Sequence, residues 1–377
     1  MILMALDHTL FFWSFGRVSN EGLPLLGKNL TFNSPSGASG MALTVMFLSS
    51  LCAPGFLFVA GYLQAISVKR REDGGESKRE IRSHLLLRGI SLVALQILAA
   101  SPAFNLPDWR SGGMTFMATG VVFSLSVLST IGLGLIVFAL AGRLKPWQLL
   151  VMTLGVYLVA ESRLPQLALS FSQLSWLTQG AFALLLQPVP FSATRLINNN
   201  FPLIPWLVPM SLGWVFGHSY QADKGLNLEG KKFLASGLAS LVVFFILRTG
   251  GIGDYLHAGT SPVSFFFLSK YPPSPLYYLF YLGMLFVLFS LFIRLETAGF
   301  TFKILGEFGK VPLFFYIAHL WVYALLPALF AKFNQLPILG GALVWVLGLW
   351  VLYPLSHWYL KVRFSMKEAE ALRSSIH

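Results

Sequence analysis

The length of its apolar runs most constrains what this chain can fold into. Residues 41–67, 83–101, 116–141, 275–293, 311–329 and 338–360 approach or exceed the ~20 residues that a helix needs to cross ~30 Å of hydrocarbon. Apolar runs of this length are not strands of a soluble sheet. Shorter runs at 1–15, 147–161, 202–218 and 232–248 bring the count to about ten. A composition of 55% hydrophobic and only 11% charged residues is more than a soluble core of 377 residues requires. The chain therefore reads as an all-α, polytopic helical membrane bundle of about ten transmembrane helices. No composition shift divides it into domains, and no internal repeat is evident.

A formal net charge of +12 suggests nucleic acid until the basic residues are placed. With the N-terminus on the cytoplasmic side, the inner loops and tail carry about 18 of the 27 Lys and Arg, and the outer loops about eight. This positive-inside bias puts both termini in the cytoplasm, supports an even number of spans, and leaves nucleic acid without a role. The densest inner segment is the polar loop 68–82. The outer loops 16–40, 161–201 and 249–274 are longer than turns require, a length typical of functional or disordered segments. Within the second, residues 167–186 read as an interfacial or re-entrant helix rather than an eleventh crossing. The single cysteine, Cys52, excludes an internal disulfide and a multi-thiolate metal site; ahead of Pro54 it reads as a packed residue at a kink. No metal-ligand spacing and no phosphate-cradling glycine loop is present, so no metal is expected. The opening run lacks the basic flank and small-residue cleavage site of a signal peptide.

Met1–Trp13 places Asp7 and His8 side by side in an otherwise apolar run. A charge at membrane depth costs roughly 3 kcal/mol, so such residues are kept mainly for chemistry or transport. At 1.5 Å per residue the run 1–15 reaches only ~22 Å, so the first helix is expected to lack a turn or two at its start. His8 falls ~10 Å from the outer end of this helix, and His319 falls ~12 Å from the inner end of its own span. Adjacent residues point about 100° apart on a helix, so Asp7 is a poor candidate for orienting His8. If His8 is a base, its second ring nitrogen must be held from another span, by His319 or Tyr316, and Asp7 must pair elsewhere, with Arg88 as one option. The plainer alternative is that Asp7 and His8 are hydrogen-bonding glue between helices. Arg88, about a turn inside the third span, either snorkels to the headgroups or contacts a phosphate of a cytoplasmic cofactor. Arg248, Asp254, His257 and Lys270 gather polar character on the outer side, where they can contact a polar acceptor. His84, His218, His357 and His377 lie at span ends, in loops or in the tail.

Six motifs in register carry a resemblance. They are Met4-Ala5-Leu6-Asp7-His8-Thr9, Cys52-Ala53-Pro54-Gly55-Phe56-Leu57-Phe58-Val59-Ala60-Gly61, Leu87-Arg88-Gly89, Phe201-Pro202-Leu203-Ile204-Pro205-Trp206, Lys270-Tyr271-Pro272-Pro273-Ser274, and Gly309-Lys310-Val311-Pro312-Leu313-Phe314-Phe315-Tyr316. Together they resemble the bacterial branch of the heparan-alpha-glucosaminide N-acetyltransferase family. The resemblance implies a transmembrane acyltransferase fold in a bacterial inner membrane. Acetyl-CoA or another acyl-CoA on the cytoplasmic side would donate to an amine or hydroxyl of a sugar or glycan acceptor on the other side. His8 matches the polar position of the family's first helix and is the expected general base, with Asp7 and His319 beside it. Arg88 would serve the donor, and Arg248, Asp254 and Lys270 the acceptor. The lipid bilayer is the remaining expected partner, with a second copy of the chain, as a homodimer, as one option. A reading from another class is a proton-coupled transporter using Asp7, His8 and His319, although transporters are commonly built from repeats.

Overall fold

The computed structural model describes residues 1–18, 38–110, 123–169, 173–186, 197–221, 225–256, 261–330 and 333–374. Six helical stretches have the length and hydropathy to cross a bilayer: Gly40–Asp73, Lys78–Leu106, Gly225–Thr249, Pro275–Thr297, Pro312–Phe330 and Ile338–Arg363. Three shorter apolar helices, Ile2–Trp13, Val127–Leu140 and Leu203–His218, lie among them. The chain is thus a helical, multi-pass membrane bundle.

In chain order the helices are α1 (Ile2–Trp13), α2 (Gly40–Ser50), α3 (Cys52–Asp73), α4 (Lys78–Leu95), a π turn (Gln96–Ala100), α5 (Ser101–Arg110), α6 (Val127–Leu140), α7 (Pro146–Leu169) and α8 (Trp176–Leu185). They continue with α9 (Leu203–His218), α10 (Gly225–Thr249), α11 (Pro262–Phe266), α12 (Pro275–Thr297), α13 (Lys303–Lys310), α14 (Pro312–Phe330) and α15 (Ile338–Ser374). The bundle is built from close pairs: α3 with α9, α10 with α12, and α4 with α6, while α1 packs against both α14 and α15. The tightest approach is α3 on α9, where a Cβ on Gly61 or Gly213 would run into the carbonyl of Met210 or Phe58. Glycine there lets two backbones touch, which is how helices gain packing in lipid.

Proline removes a rung from the backbone hydrogen-bond ladder at several places, and the freed carbonyls have aromatic partners. Pro54, Pro209 and Pro327 lack the N–H that the carbonyl four residues earlier would have used. Ser50 O instead accepts from Tyr277 Oη at 2.7 Å, Pro205 O from Tyr278 Oη at 2.6 Å, and Tyr323 O from Trp13 Nε1 at 3.0 Å. At the π turn, just before Pro102, Ala99 O accepts from Trp321 Nε1 at 2.9 Å. In hydrocarbon no water can take these carbonyls, so each aromatic donor both satisfies a break and ties two helices together.

Several features differ from the sequence expectation. The span expected over 41–67 is two helices meeting at Leu51, because Pro54 stops α2 and starts α3. The third span continues beyond residue 101 through the π turn into α5. Where one helix is expected over 167–186, α7 runs on to Leu169 and α8 is a separate helix of ten residues, ~15 Å, half of what a crossing needs. A short parallel strand pair, β1 (Phe123–Leu125) with β2 (Ile197–Asn199), joins the starts of α6 and α9. Its backbone is held from within the protein, Gln96 Nε2 donating to Ser124 O at 2.7 Å.

Candidate active site

His8 lies in the middle of α1 and His319 in the middle of α14, two helices in direct contact. The rings stack at 5.0 Å, and His8 Nδ1 lies 2.7 Å from His319 Nε2. His319 is fully buried, with Nδ1 2.7 Å from Phe315 O, one turn back on its own helix. A carbonyl only accepts, so Nδ1 of His319 must carry the proton. Its Nε2 is then the lone-pair nitrogen. The same logic passes along the chain: His8 Nδ1 donates to His319 Nε2, and the lone pair of His8 sits on Nε2. Phe104 stands edge-on to the His8 ring at 5.1 Å. Among the described residues Nε2 of His8 has no hydrogen-bond partner, and His8 is only partly buried.

Asp7 points to a different side of α1, as the 100° step requires. Its Oδ1 accepts from Arg17 Nη2 at 3.1 Å, just past the end of the helix. The option of an Asp7–Arg88 pair is therefore corrected. Arg88 sits on α4 and donates from Nη1 to Gln64 Oε1 of α3 at 2.9 Å, toward the end of the bundle that carries the basic loop 68–82. Lys270 is buried near Asp7 and His8, its ammonium 5.1 Å from the centre of the Tyr271 ring. Burial pulls the Lys270 ammonium toward neutrality, but Tyr271 and Asp7 outweigh it and leave its pKa above the ordinary lysine value. The turn that presents Lys270 is closed by Ser269 Oγ on Pro272 O at 2.7 Å and Ser274 N on Ser269 O at 3.0 Å.

Arg248 and Asp254 form a separate arrangement. The Arg248 guanidinium, 2% exposed, donates to the carbonyls of Leu256, Ser264, Phe265 and Phe267 at 2.6–3.2 Å. Asp254 accepts from Leu256 N at 2.7 Å, Ser269 N at 3.2 Å and Ser274 Oγ. Burial raises the Asp254 carboxyl above the usual carboxylate range, against the pull of these donors and of Arg248. The two side chains thus fold the loop that ends at Lys270. His257 and His377 lie outside the described residues. His84, His218 and His357 are engaged by Arg71, Trp214 O and Glu307, respectively.

Sequence reasoning missed Arg17 as the partner of Asp7, Tyr271 beside Lys270, and a polar wall next to His319. In that wall Ser126 Oγ meets Tyr316 Oη and Gln96 Oε1, while Ser124 and Asn105 bond across the π turn. The available signal was Gln96, a polar residue in an apolar span a few residues before Pro102. π turns of this kind are frequent at functional sites.

The catalytic-domain model of heparan-alpha-glucosaminide N-acetyltransferase matches residues 32–248, more than half of the 377-residue chain. The match spans α2 to α10, including Arg88 and Arg248; His8, Lys270 and His319 lie outside it. No curated protein and no solved structure matches the chain at a significant level. On the strength of that match and of a multi-pass helical bundle, the chain belongs to the heparan-alpha-glucosaminide N-acetyltransferase family of membrane transferases.

Proposed function

We propose that this protein transfers an acyl group from acetyl-CoA or a related acyl-CoA to an amine or hydroxyl of a sugar or glycan, with His8 as general base. It would sit in a bacterial inner membrane, both termini cytoplasmic, taking the donor from the basic end and the acceptor from the opposite end. The observation that carries this reading is the one-way hydrogen-bond chain from His8 through His319 to Phe315 O, which leaves the lone pair of His8 on Nε2.

The acceptor N–H or O–H gives its proton to Nε2 as its heteroatom attacks the thioester carbonyl. The tetrahedral adduct then expels the thiolate, and His8 returns the proton to sulfur. A C–S bond is exchanged for a C–N or C–O bond, and His8 ends neutral. While His8 is charged, its Nδ1–H still donates to His319, whose acceptor nitrogen is fixed by Phe315 O. The buried Lys270 ammonium supplies positive charge for the developing oxyanion or for the acceptor, countered by Asp7. Arg248 and Asp254 serve the acceptor side by holding the loop that carries Lys270. Arg88 keeps guanidinium N–H groups beyond the one given to Gln64 and is suited to a donor phosphate.

Protein in sealed vesicles, supplied with acetyl-CoA on the basic side and an amino sugar on the other, is expected to release thiol only when both are present. The location of His8 and His319 inside the bundle also favours a second reading, a proton path in a transporter. Proton-coupled sugar flux without thiol release would select that reading and reject the first.

A further inference from the structure

A second site lies at the basic end, away from the histidines. The last turns of α3, together with Tyr220 just after α9 and Leu226 in the first turn of α10, line an open groove of about 540 Å³, within the roughly 300–1,000 Å³ of small-molecule sites. Its lining includes Tyr62, Leu63, Arg70, Arg71, Glu76 and Tyr220. Along α3, Arg70 is ~27 Å from Cys52, which lies near Asp7, so this space is not part of the His8 site.

The charges around the cavity are unequally matched. Both oxygens of Glu76 are taken by Arg71 Nη1, at 2.9 and 2.8 Å. Glu229, next to the cavity, is held by Lys232 at 2.7 Å and by Tyr62 Oη at 3.4 Å. Arg70 has no carboxylate or carbonyl partner among the described residues, and the Tyr220 hydroxyl also makes no hydrogen bond there. Two open donors thus face a cavity whose acidic groups are already neutralised. The walls toward the bilayer are apolar: Leu63 and Leu226, both lining residues, are 57% and 44% exposed on helices of membrane-spanning length. A basic pocket between helices, opening onto apolar flanks at the cytoplasmic surface, matches the form of phospholipid headgroup sites.

We propose that this cavity is a phosphate-binding site, with Arg70 and Tyr220 as donors and the headgroup of an anionic phospholipid as ligand, its acyl chains running along Leu63 and Leu226. A soluble phosphate ester, such as one at the nucleotide end of the donor, has the same chemistry, and the experiment separates the two. The full-length protein in detergent is titrated with phosphatidylglycerol, phosphatidylcholine or inorganic pyrophosphate, and adducts are counted by native mass spectrometry. Phosphatidylglycerol should be retained over phosphatidylcholine. Arg70→Gln should weaken its binding roughly fivefold to tenfold. Tyr220→Phe should weaken it less, and Arg79→Gln, at the same surface outside the cavity, should leave it unchanged. Arg70 is exposed and has no ion pair among the described residues, so its substitution leaves the fold in place, and Tyr220→Phe provides an independent variant. Pyrophosphate binding that is lost in Arg70→Gln, with no preference between the lipids, supports the phosphate site and assigns it to a soluble ester. Binding of every probe that is the same in wild type and Arg70→Gln, or equal losses in Arg70→Gln and Arg79→Gln, would overturn the site.

Discussion

His8–His319 and Arg248–Asp254 are both polar groups set among apolar side chains, yet the first leaves a ring nitrogen open and the second is saturated. The guanidinium of Arg248 spends its donors on loop carbonyls, and the oxygens of Asp254 are met by two backbone N–H groups and a hydroxyl. The imidazole chain instead runs in one direction and ends on Nε2 of His8, which has no hydrogen-bond partner among the described residues. Burial of a polar residue therefore does not by itself mark chemistry. Under the proposed function, a saturated group holds architecture, whereas one held at a single atom with another left free is available to react.

The largest expected effect falls on the saturated cluster. Arg248→Met removes the donor for four carbonyls and should destabilise the protein by roughly 3–5 kcal/mol, read as a loss of detergent-solubilised folded protein on heating. A variant that melts with the wild type would erase the contrast. Next in size, His319→Phe deletes the acceptor for His8 Nδ1 and should slow acceptor-dependent thiol release roughly tenfold to a hundredfold, with little change in melting. His319→Gln, whose amide oxygen can accept the same proton, should recover part of the rate. Recovery equal to Phe would mean that His319 acts by packing alone. Tyr278→Phe strips the donor from the Pro205 carbonyl and should cost roughly 1–2 kcal/mol on the same melting assay. The smallest effect belongs to Asp7→Asn: its pair with Arg17 is partly exposed and should contribute no more than about 1 kcal/mol to stability.

Much of the fold was legible because a bilayer demands long apolar runs, and those runs mark where the helices lie. The ends were less legible. Lys78, Ser77 and Glu80 begin α4 well before residue 83 through a capping box, and α10 begins at Gly225 although its apolar stretch starts later. Helix breaks were readable only in part: Pro54 signalled a kink, but nothing near it names Tyr277, more than 200 residues away, as the donor that makes the break affordable. The site divides in the same way. Asp7, His8 and His319 stand out as polar residues in apolar helices, and the 100° step already separated Asp7 from His8. That Arg17 meets Asp7 and that loop carbonyls absorb Arg248 depends on long-range packing, which leaves no trace in local spacing. Tyr316 was a candidate partner for His8 but meets Ser126 instead, and Gln96 and Ser126 were hidden because each alone looks like an ordinary interruption of an apolar run.

The most direct test of the open histidine is the rate of acceptor-dependent thiol release from acetyl-CoA by His8→Ala, measured beside its thermal midpoint. A general base contributes about 10²–10⁴-fold, so the rate should fall at least a hundredfold while the midpoint stays near that of the wild type. A His8→Ala protein that turns over within a few-fold of the wild type would contradict the assignment, however well the rest of the bundle holds.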